Sequence, residues 1–373
     1  MKKKKLLIFH PYLAPYRIDL YNELSKTLNI SVLLTGGDKE LATLAYNLQS
    51  VNQQAAFLYR YYSKGLIIGR HLISFIYFKV IKNFKPDIVL AHELGVNTLF
   101  SIILKPLFRY KLFVTIDDST NMMMAYRGFR KILRQFVIGH ANGLVVVNPQ
   151  VKIFLTEKFK KHPCKYHYLP IIQDEKILLD KLFDASLLSE RIFYQYAFRG
   201  KKIILFIGRL IEAKSPNLLL EVFSELNRSN TNLRLVFIGD GKLEQDLKKY
   251  VTSHGLNDSV FFTGRLTGQD LYAWYNLGQI FVLPSQHEPF GAVVNEALVA
   301  GCKVVVSDSV GSSCLINENN GIVFKTNNRD SLSSSLSQIL SQVSPFNEVC
   351  VRKNNMNESF STITKTFVNF IST

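Results

Sequence analysis

The order of its segments is the feature that most constrains how this chain of 373 residues can fold. Between residues 202 and 307, short apolar runs rich in β-branched residues alternate with longer amphipathic segments. This alternation is typical of βα units around a parallel sheet. The runs predicted as strands are Lys202–Gly208, Leu233–Gly239, Val260–Thr263, Ile280–Pro284 and Lys303–Ser307. The second half of the chain is therefore predicted to be an α/β domain of the Rossmann-like type.

Residues that typically begin or end helices lie between these runs. Ser215 is predicted to cap a helix whose first residue is Pro216, and Gly301 is predicted to end the helix Gly291–Ala300. Two more helices are predicted at Ser331–Ser341 and Phe360–Ile371.

The first half repeats the pattern less clearly. Its predicted strands are Lys5–Phe9, Ile30–Leu34, Ile88–Ala91, Leu112–Ile116 and Leu144–Val147. Its predicted helices lie near Tyr16–Leu28, Arg70–Phe84, Val96–Phe108 and Gly128–His140. The length also suits two domains, since a domain averages roughly 150 residues. We predict a first domain over residues 1–198 and a second over 199–354, with ligands bound where the carboxyl ends of the two sheets face each other.

Composition excludes several classes of protein. With 47% hydrophobic and 20% charged residues, the chain is predicted to fold. The longest hydrophobic region, Leu66–Ile81, contains Arg70, His71 and Lys79, so no membrane-spanning helix is predicted. The four cysteines show no CxxC spacing, which favours a reducing cytoplasm and argues against structural zinc.

Charge is distributed unevenly along the chain. Residues 1–198 carry 28 lysines and arginines against 14 acidic residues, whereas residues 199–373 carry 17 against 15. This asymmetry indicates an anionic partner for the first half, a membrane surface or a nucleic acid, unless it serves solubility alone. No nucleic-acid-binding motif is present, and basic and aromatic residues are interleaved from Phe57 to Lys85, so we favour an anionic membrane. Within that stretch, Leu66–Phe78 is predicted either to insert into the interface or to form a buried helix.

Chemically informative residues follow three of the predicted strands. Arg209 and Lys214, in the segment that begins with Gly208, are spaced so that both can reach one diphosphate, although taken alone such a pair is more often two solvated loop charges. Gly239-Asp240-Gly241 predicts a tight turn with exposed amides. It is a weaker signal.

The segment Ser285–Ala297 is the most specific. It follows an apolar strand and opens a helix, so the amides of residues 290–293 are predicted to face a phosphate. Glu288 lies before that helix and Glu296 inside it. A carboxylate beside a phosphate is favourable where it accepts hydrogen bonds from hydroxyls, as in a sugar nucleotide. A glycosidase, which also uses two carboxylates, would have no need of the nearby cations.

Taken together, these three segments resemble the donor site of retaining glycosyltransferases of family 4, which have the GT-B fold. The resemblance covers the second domain through Asp308. It implies that Arg209 and Lys214 hold the donor diphosphate and stabilise the leaving nucleotide, that Glu296 binds the ribose, and that Glu288 faces the transferred sugar. The donor-binding residues that it implies are Gly208, Gly241, Phe290, Gly291, Ala292, Val293 and Glu296.

The same resemblance implies two Rossmann-like domains facing across a cleft, with a C-terminal helix, residues 355–373, crossing back to the first domain. It implies neither a catalytic metal nor a cofactor. Where the family usually has a glycine after the first glutamate, this chain has Pro289.

The first domain departs further from the family. Its first βα loop lacks the frequent glycine pair, and Asp117 follows the strand after which many members carry a histidine. Tyr16, Arg17 and Asp117 are the predicted acceptor-side residues, and Asp117 either binds a sugar hydroxyl or caps the following segment. His92-Glu93 either faces the cleft or is structural, and Trp274 and Tyr275 are predicted to pack within a helix.

These observations predict a cytoplasmic hexosyltransferase, peripheral at the inner face of the cell membrane, that uses a nucleotide diphosphate sugar. Its acceptor is predicted to be a glycan or a lipid-linked molecule, in cell-surface polysaccharide or glycoconjugate synthesis. The alternatives are a sugar-nucleotide epimerase or phosphorylase of the same architecture, and a catalytically silent sugar-nucleotide-binding subunit.

Overall fold

The computed structural model describes residues 3–35, 53–62, 64–68, 71–93, 95–125, 127–159 and 164–373. The chain divides into two compact units. The first comprises Met1–Gln173 and Phe360–Thr373, and the second comprises Asp174–Ser359. The predicted α/β class is confirmed, because each unit is built around a parallel sheet.

The sheet of the first unit has the order β3-β2-β1-β6-β7-β8-β9, and its strands are parallel. These strands are β1 (Lys5–His10), β2 (Asn29–Leu34), β3 (Leu58–Tyr61), β6 (Ile88–His92), β7 (Lys111–Ile116), β8 (Gly143–Val146) and β9 (Lys165–Tyr168). The five predicted strands are confirmed. β3 and β9 were not predicted, because their residues are half-exposed and lack a continuous apolar run.

The predicted helices of the first unit begin and end close to their predicted positions, with one exception, and Thr120–Ala125 and Pro149–Lys158 are two helices that were not predicted. The helices are α1 (Pro15–Thr27), α2 (Ile76–Phe84), α3 (Val96–Phe108), α4 (Thr120–Ala125), α5 (Phe129–His140), α6 (Pro149–Lys158) and the C-terminal α14 (Phe360–Ser372). The predicted helix Arg70–Phe84 is wrong at its start, because β4 (Leu66–Ile68) and β5 (His71–Ile73) pair as an antiparallel hairpin. Leu66–Phe78 is therefore not one buried helix. Arg70 lies outside the described residues.

The C-terminal helix is part of the first unit, as predicted. Its apolar residues recur with helical spacing, and Phe360, Ile363, Phe367 and Ile371 are buried. The Phe370 ring packs against Phe113 of β7, with ring centroids 5.3 Å apart. Burial of this face explains why the helix docks on the first sheet.

The sheet of the second unit has the order β12-β11-β10-β13-β14-β15 and is also parallel. Its strands are β10 (Lys202–Ile207), β11 (Leu233–Ile238), β12 (Val260–Gly264), β13 (Ile280–Leu283), β14 (Lys303–Ser307) and β15 (Gly321–Phe324). Its helices are α7 (Glu175–Asp184), α8 (Ser186–Gln195), α9 (Pro216–Ser229), α10 (Glu244–Ser253), α11 (Gly268–Leu277), α12 (Val293–Val299) and α13 (Arg329–Gln342). The central strands are buried on both faces, which is why they read as continuous apolar runs.

Several predictions differ from the structure of the second unit. Residues 355–359, predicted to belong to the first domain, are part of it. Residues 174–198 belong to it rather than to the first, because α7 and α8 pack on α11, where the Asn276 amide donates to Leu182 O and Ser189 Oγ. Pro216 opens α9 as predicted, but Ser215 adopts φ 49° and its side chain does not cap the helix. Its hydroxyl accepts a hydrogen bond from Gln286 at 3.0 Å instead.

No helix in the described part of the chain has the length and apolar character needed to cross a bilayer.

Candidate functional site

The strand order of the second sheet reverses between β10 and β13, which makes this pair its topological switch point. Open parallel sheets bind their ligands outside the carboxyl ends of the strands at such a point. The loop after β10 carries Arg209 and Lys214, and the loop after β13 carries Glu288. A hydrogen bond from Gln286 N to Ala213 O, 2.9 Å long, ties the two loops together. The sequence-predicted residues of both loops thus lie at one edge of one sheet.

Two glycines after β11 let its loop pack against the loop after β10. A Cβ at Gly239 would lie 2.0 Å from Gly208 O, and one at Gly241 would lie 2.4 Å from Leu210 O. Leu210 N donates a hydrogen bond to Asp240 O at 2.7 Å. A side chain at Gly239 or Gly241 would push the two loops apart and break this bond. The predicted tight turn is therefore also the place where two loops meet, and it positions Gly208 and Arg209.

The centre of this edge is an ion pair between Lys214 and Glu288. Both side chains are 15% exposed. Burial, and then the charge of Arg209, lower the pKa of Lys214 to about 8. Because Arg209 itself is exposed, its guanidinium is open to an incoming ligand. The arrangement gathers two cations and one carboxylate, which suits a ligand that has both phosphate and hydroxyl groups.

The loop that carries Glu288 is anchored on the segment after β14. Gly311 N donates to Glu288 O at 3.0 Å, and Ser312 N donates to Phe290 O at 2.7 Å. Helix α12 begins at Val293, with Ala292 before it, rather than at the predicted Gly291. Residues 290–293 therefore form the approach and first residue of a seven-residue helix.

Glu296, on α12, is held by a residue that the sequence analysis had interpreted as packing. The Tyr275 hydroxyl donates to Glu296 Oε2 at 2.8 Å. Tyr275 is completely buried, and burial, followed by the charge of Glu296, raises the pKa of this phenol. Helical spacing placed Tyr275 on a buried face but gave no sign of its partner, which is 21 residues away in the chain.

The first sheet has its own switch point, between β1 and β6. Arg17 of α1 donates two hydrogen bonds to Asp117, after β7, at 2.9 and 3.1 Å. Arg17 is only 3% exposed, and its guanidinium lies 5.8 Å from the ring of Tyr16. The three predicted acceptor-side residues are thus brought together, and Asp117 is one half of a buried ion pair.

Two histidines that the sequence analysis did not include among its site residues lie at the same switch point. The His10 ring, at the end of β1, stacks on the His92 ring, at the end of β6, with centroids 4.0 Å apart. Burial, and then the charge of Arg17, lower the pKa of His92 to about 3. The next residue, Glu93, presents a half-exposed carboxylate. In the described part of the chain, no group of His, Cys, Asp and Glu side chains is arranged to hold a metal ion.

One known protein family matches the segment that contains the site of the second unit. Residues 189–354 match the model of the family described as glycosyl transferases group 1. The matched segment is less than half of the chain. The match covers most of the second unit, including Arg209, Lys214, Glu288 and Glu296.

Curated glycosyltransferases are similar to the chain over limited lengths. The α-D-kanosaminyltransferase of Streptomyces kanamyceticus is 30% identical over 141 residues, which are 37% of this chain and 36% of the relative. The mannosylfructose-phosphate synthase of Agrobacterium fabrum is 30% identical over 187 residues, 48% of this chain and 40% of the relative. The chain thus spans about two fifths of the length of these relatives.

Solved structures are similar over nearly the whole chain. The crystal structure of Anabaena HepE in complex with UDP superposes with a TM-score of 0.74 at 15% identity and covers 99% of both chains. At this identity the similarity establishes the fold, which is the GT-B fold of glycosyltransferases, for both units of the chain.

Proposed function

We propose that the protein is a retaining, metal-independent hexosyltransferase that moves a sugar from a nucleotide diphosphate donor to a glycan or lipid-linked acceptor. The observation that carries this proposal is the largely buried Lys214–Glu288 pair beside Arg209, at the switch point of a segment that matches the group 1 family. The crystal structures of HepE in complex with UDP and with UDP-glucose support a nucleotide sugar as donor.

The charged groups and the hydroxyl groups of the donor are proposed to bind to different residues. Arg209 and Lys214 hold the diphosphate together with the amides of residues 290–293 and the open backbone at Gly208, while Gly241 lets the neighbouring loop pack closely. Glu296 accepts hydrogen bonds from the ribose hydroxyls, and Tyr275 keeps its carboxylate in place.

In the proposed reaction the acceptor hydroxyl attacks from the face that the nucleotide leaves. A bond forms between the acceptor oxygen and the anomeric carbon, while the bond from that carbon to the diphosphate oxygen breaks. The hydroxyl proton passes to the departing phosphate oxygen. Arg209 and Lys214 stabilise the charge that develops there, and Glu288 faces the transferred sugar.

A thermal-shift screen of nucleotide sugars tests this proposal. A ligand at 100 times its dissociation constant adds about 2.7 kcal/mol of stability, so the true donor should raise Tm clearly above its matching nucleoside. Incubation of that donor with acceptors then separates the alternatives. Sugar isomerisation without an acceptor would indicate an epimerase. Release of sugar phosphate from a glycan would indicate a phosphorylase, and binding without turnover would indicate a silent subunit.

We further propose that the first unit docks on an anionic membrane through the outer face of α2, α3 and α5. The sequences of these three helices contain lysines and arginines but no acidic residue. Large apolar side chains are exposed along them, among them Ile103 and Leu107 at 66% each and Ile132 at 63%. Each basic residue near an anionic bilayer contributes about 1 kcal/mol, within a Debye length of about 8 Å, so attachment should be reversible and salt-sensitive.

Flotation with liposomes tests the docking face. The protein should float with phosphatidylglycerol vesicles at low salt and dissociate at high salt, and Ile103→Glu combined with Leu107→Glu should abolish binding. Leu187→Glu is the matched control, because Leu187 is 73% exposed on α8 of the second unit. Equal binding to neutral phosphatidylcholine, or loss of binding in the control, would contradict the proposal.

A further inference from the structure

Residues 343–359, which connect α13 to α14, pass the carboxyl ends of α11 and α12 without forming a helix or strand of their own. Arg352 lies in this segment and reaches both helices. Its Nε donates to Ala300 O, at the end of α12, at 3.1 Å, and its Nη2 donates to Tyr275 O of α11 at 2.8 Å. One guanidinium thus joins the ends of two helices.

The carbonyl of Tyr275 needs a donor from outside its own helix. The last carbonyls of a helix have no amide four residues further along to pair with. In a longer α11 that amide would be Gln279 N, but it donates to Ile203 O of β10 at 3.0 Å. Arg352 therefore supplies a donor that α11 itself lacks. Its positive charge also suits the negative ends of both helix dipoles.

The backbone of the connecting segment packs closely against the end of α12. Gly301, just after this helix, has φ 77°, and a Cβ there would lie 2.6 Å from Arg352 Cβ and 2.7 Å from Lys353 O. Asn355 N donates to Leu298 O of α12 at 2.9 Å. Arg352 is therefore held at the helix end by the backbone on both sides as well as by its own side chain.

The partners of the Arg352 guanidinium, in the part of the chain that the structure describes, are carbonyls and a thiol rather than a carboxylate. Nη2 lies 3.6 Å from Cys302 Sγ, and Nη1 is buried without a hydrogen-bond partner. A buried donor without a partner costs stability, so a neutral side chain would serve folding alone equally well. What the guanidinium adds is simultaneous contact with the ends of both helices.

The two helices that Arg352 joins are those that carry the Tyr275–Glu296 hydrogen bond. The Tyr275 hydroxyl, on α11, donates to Glu296 Oε2, on α12, at 2.8 Å. One carbonyl that Arg352 binds belongs to this same tyrosine. The other belongs to Ala300, whose amide donates to Glu296 O at 2.9 Å. A shift of either helix end would therefore change the distance between the hydroxyl and the carboxylate.

We infer that Arg352 is a positioning residue for the donor site, and that it acts by fixing the Tyr275 hydroxyl against Glu296. The inference rests on the proposed function, in which Glu296 accepts hydrogen bonds from the ribose of the donor. Arg352 itself does not contact the donor in this scheme. Its loss should raise KM for the donor and leave kcat nearly unchanged, because the groups that act on the diphosphate stay in place.

Fluorine NMR of the full chain labelled with 3-fluorotyrosine tests the positioning without any ligand. The chain has 17 tyrosines, and the resonance that is missing from Tyr275→Phe belongs to residue 275. Arg352→Met keeps the apolar stem and removes the guanidinium. It should shift this resonance toward its position in Glu296→Gln, because both changes weaken the bond between hydroxyl and carboxylate. Lys353→Met, which changes an exposed side chain of the same segment, is the matched control and should leave the resonance in place. An unmoved resonance in Arg352→Met would overturn the inference.

Isothermal titration with UDP, GDP, ADP and TDP tests the effect on binding. For a nucleotide that binds, Kd should rise about three- to tenfold in Arg352→Met and stay unchanged in Lys353→Met. Arg352→Lys keeps the charge and should recover part of the loss. When Arg352→Met is combined with Tyr275→Phe, Kd should equal that of Tyr275→Phe alone, because Arg352 acts through that hydroxyl. Effects that multiply in the double variant would refute this route.

The two measurements distinguish a failure of the inference from a failure of the proposed function. If none of the nucleotides bound to the unaltered protein, the proposed donor site would be refuted, and the Tyr275 resonance would still decide whether Arg352 positions this residue. If a nucleotide bound and Arg352→Met matched the control, the inference would be refuted and the proposed function would stand. Should Arg352→Met not fold, Arg352→Lys serves for the same comparisons, with a smaller shift and a smaller rise in Kd expected.

Discussion

The two switch points of this molecule have charges opposite to those of the units that contain them. The first unit carries 26 lysines and arginines against 9 acidic residues, yet its switch point, with Glu93, Asp117 and Asp118, is rich in carboxylates. The second unit carries 19 against 20, yet its switch point gathers Arg209 and Lys214 around Glu288. The net charge of a unit therefore does not predict the charge at its switch point, which depends on the few residues at the strand ends.

The ion pairs at the two switch points also differ. The largest expected effect is a loss of stability when the pair at the first switch point is broken. Arg17→Ala would leave Asp117 buried without its cation, so we expect a loss of about 3–5 kcal/mol in the free energy of unfolding. Denaturant unfolding measures this loss. Lys249→Ala, which removes a pair of 78% and 67% exposed side chains, should change stability by less than about 0.5 kcal/mol. If Arg17→Ala were as stable as this control, the buried pair would not stabilise the first unit.

At the second switch point the cations should serve catalysis more than folding. Arg209→Ala and Lys214→Ala should each lower transfer by about 100-fold or more, because preorganised cations act on charge that develops in the transition state. Arg209→Ala should leave Tm nearly unchanged, since Arg209 is exposed. Initial rates with the identified donor provide the measurement, and Lys248→Ala, an exposed lysine on α10, is the control. Near-normal rates in both variants would refute the proposed donor site.

The two glutamates of the second unit should separate binding from turnover. Glu296→Gln should weaken nucleotide and nucleotide sugar alike, by about 10- to 100-fold, because hydrogen bonds to a carboxylate contribute about 1.5–3 kcal/mol. Glu288→Gln should spare nucleotide binding and lower kcat. Isothermal titration with the free nucleotide, together with steady-state kinetics, distinguishes these effects. The assigned roles are wrong if Glu288→Gln abolishes nucleotide binding.

Tyr275 offers a sharper test of the ribose contact. Tyr275→Phe removes the hydroxyl that holds Glu296, and we expect the Kd for nucleotide to rise about tenfold. The increase should be smaller for a 2′-deoxynucleotide, because that ligand lacks one proposed partner of Glu296. Tyr250→Phe, on the outer helix α10, is the control. An equal loss for both nucleotides would mean that Tyr275 acts on packing alone.

The smallest effect concerns pH, to which the second switch point should respond. Because burial and Arg209 lower the pKa of Lys214 to about 8, its charged fraction falls about fourfold between pH 7 and pH 8.5. kcat/KM for the donor should fall with it. Lys214→Arg should remove the alkaline decline, since a guanidinium stays charged. An unchanged decline in that variant would assign it to another group.

Sequence reasoning was strongest where local pattern and tertiary structure agree. The strands β10, β11, β13 and β14 are buried on both faces, so their apolar runs were visible and were predicted to within one residue at each end. The edge strand β12 is less buried, but its apolar run was predicted equally closely. The strands β3, β9 and β15 are short and partly exposed, and they remained hidden because edge strands lack that signal.

The site residues also divide into those that local sequence reveals and those that only the tertiary structure reveals. The sequence by itself determined which loops carry Arg209, Lys214 and Glu288 and which helix carries Glu296, because strand ends, turn residues and helix starts are local features. Only the tertiary structure decided that Lys214 meets Glu288, that Tyr275 holds Glu296, and that His10 and His92 stack beside Glu93. These contacts join residues 21 or more positions apart, across neighbouring strands and helices. Partners of this kind depend on strand order and burial, which no local spacing in the sequence specifies.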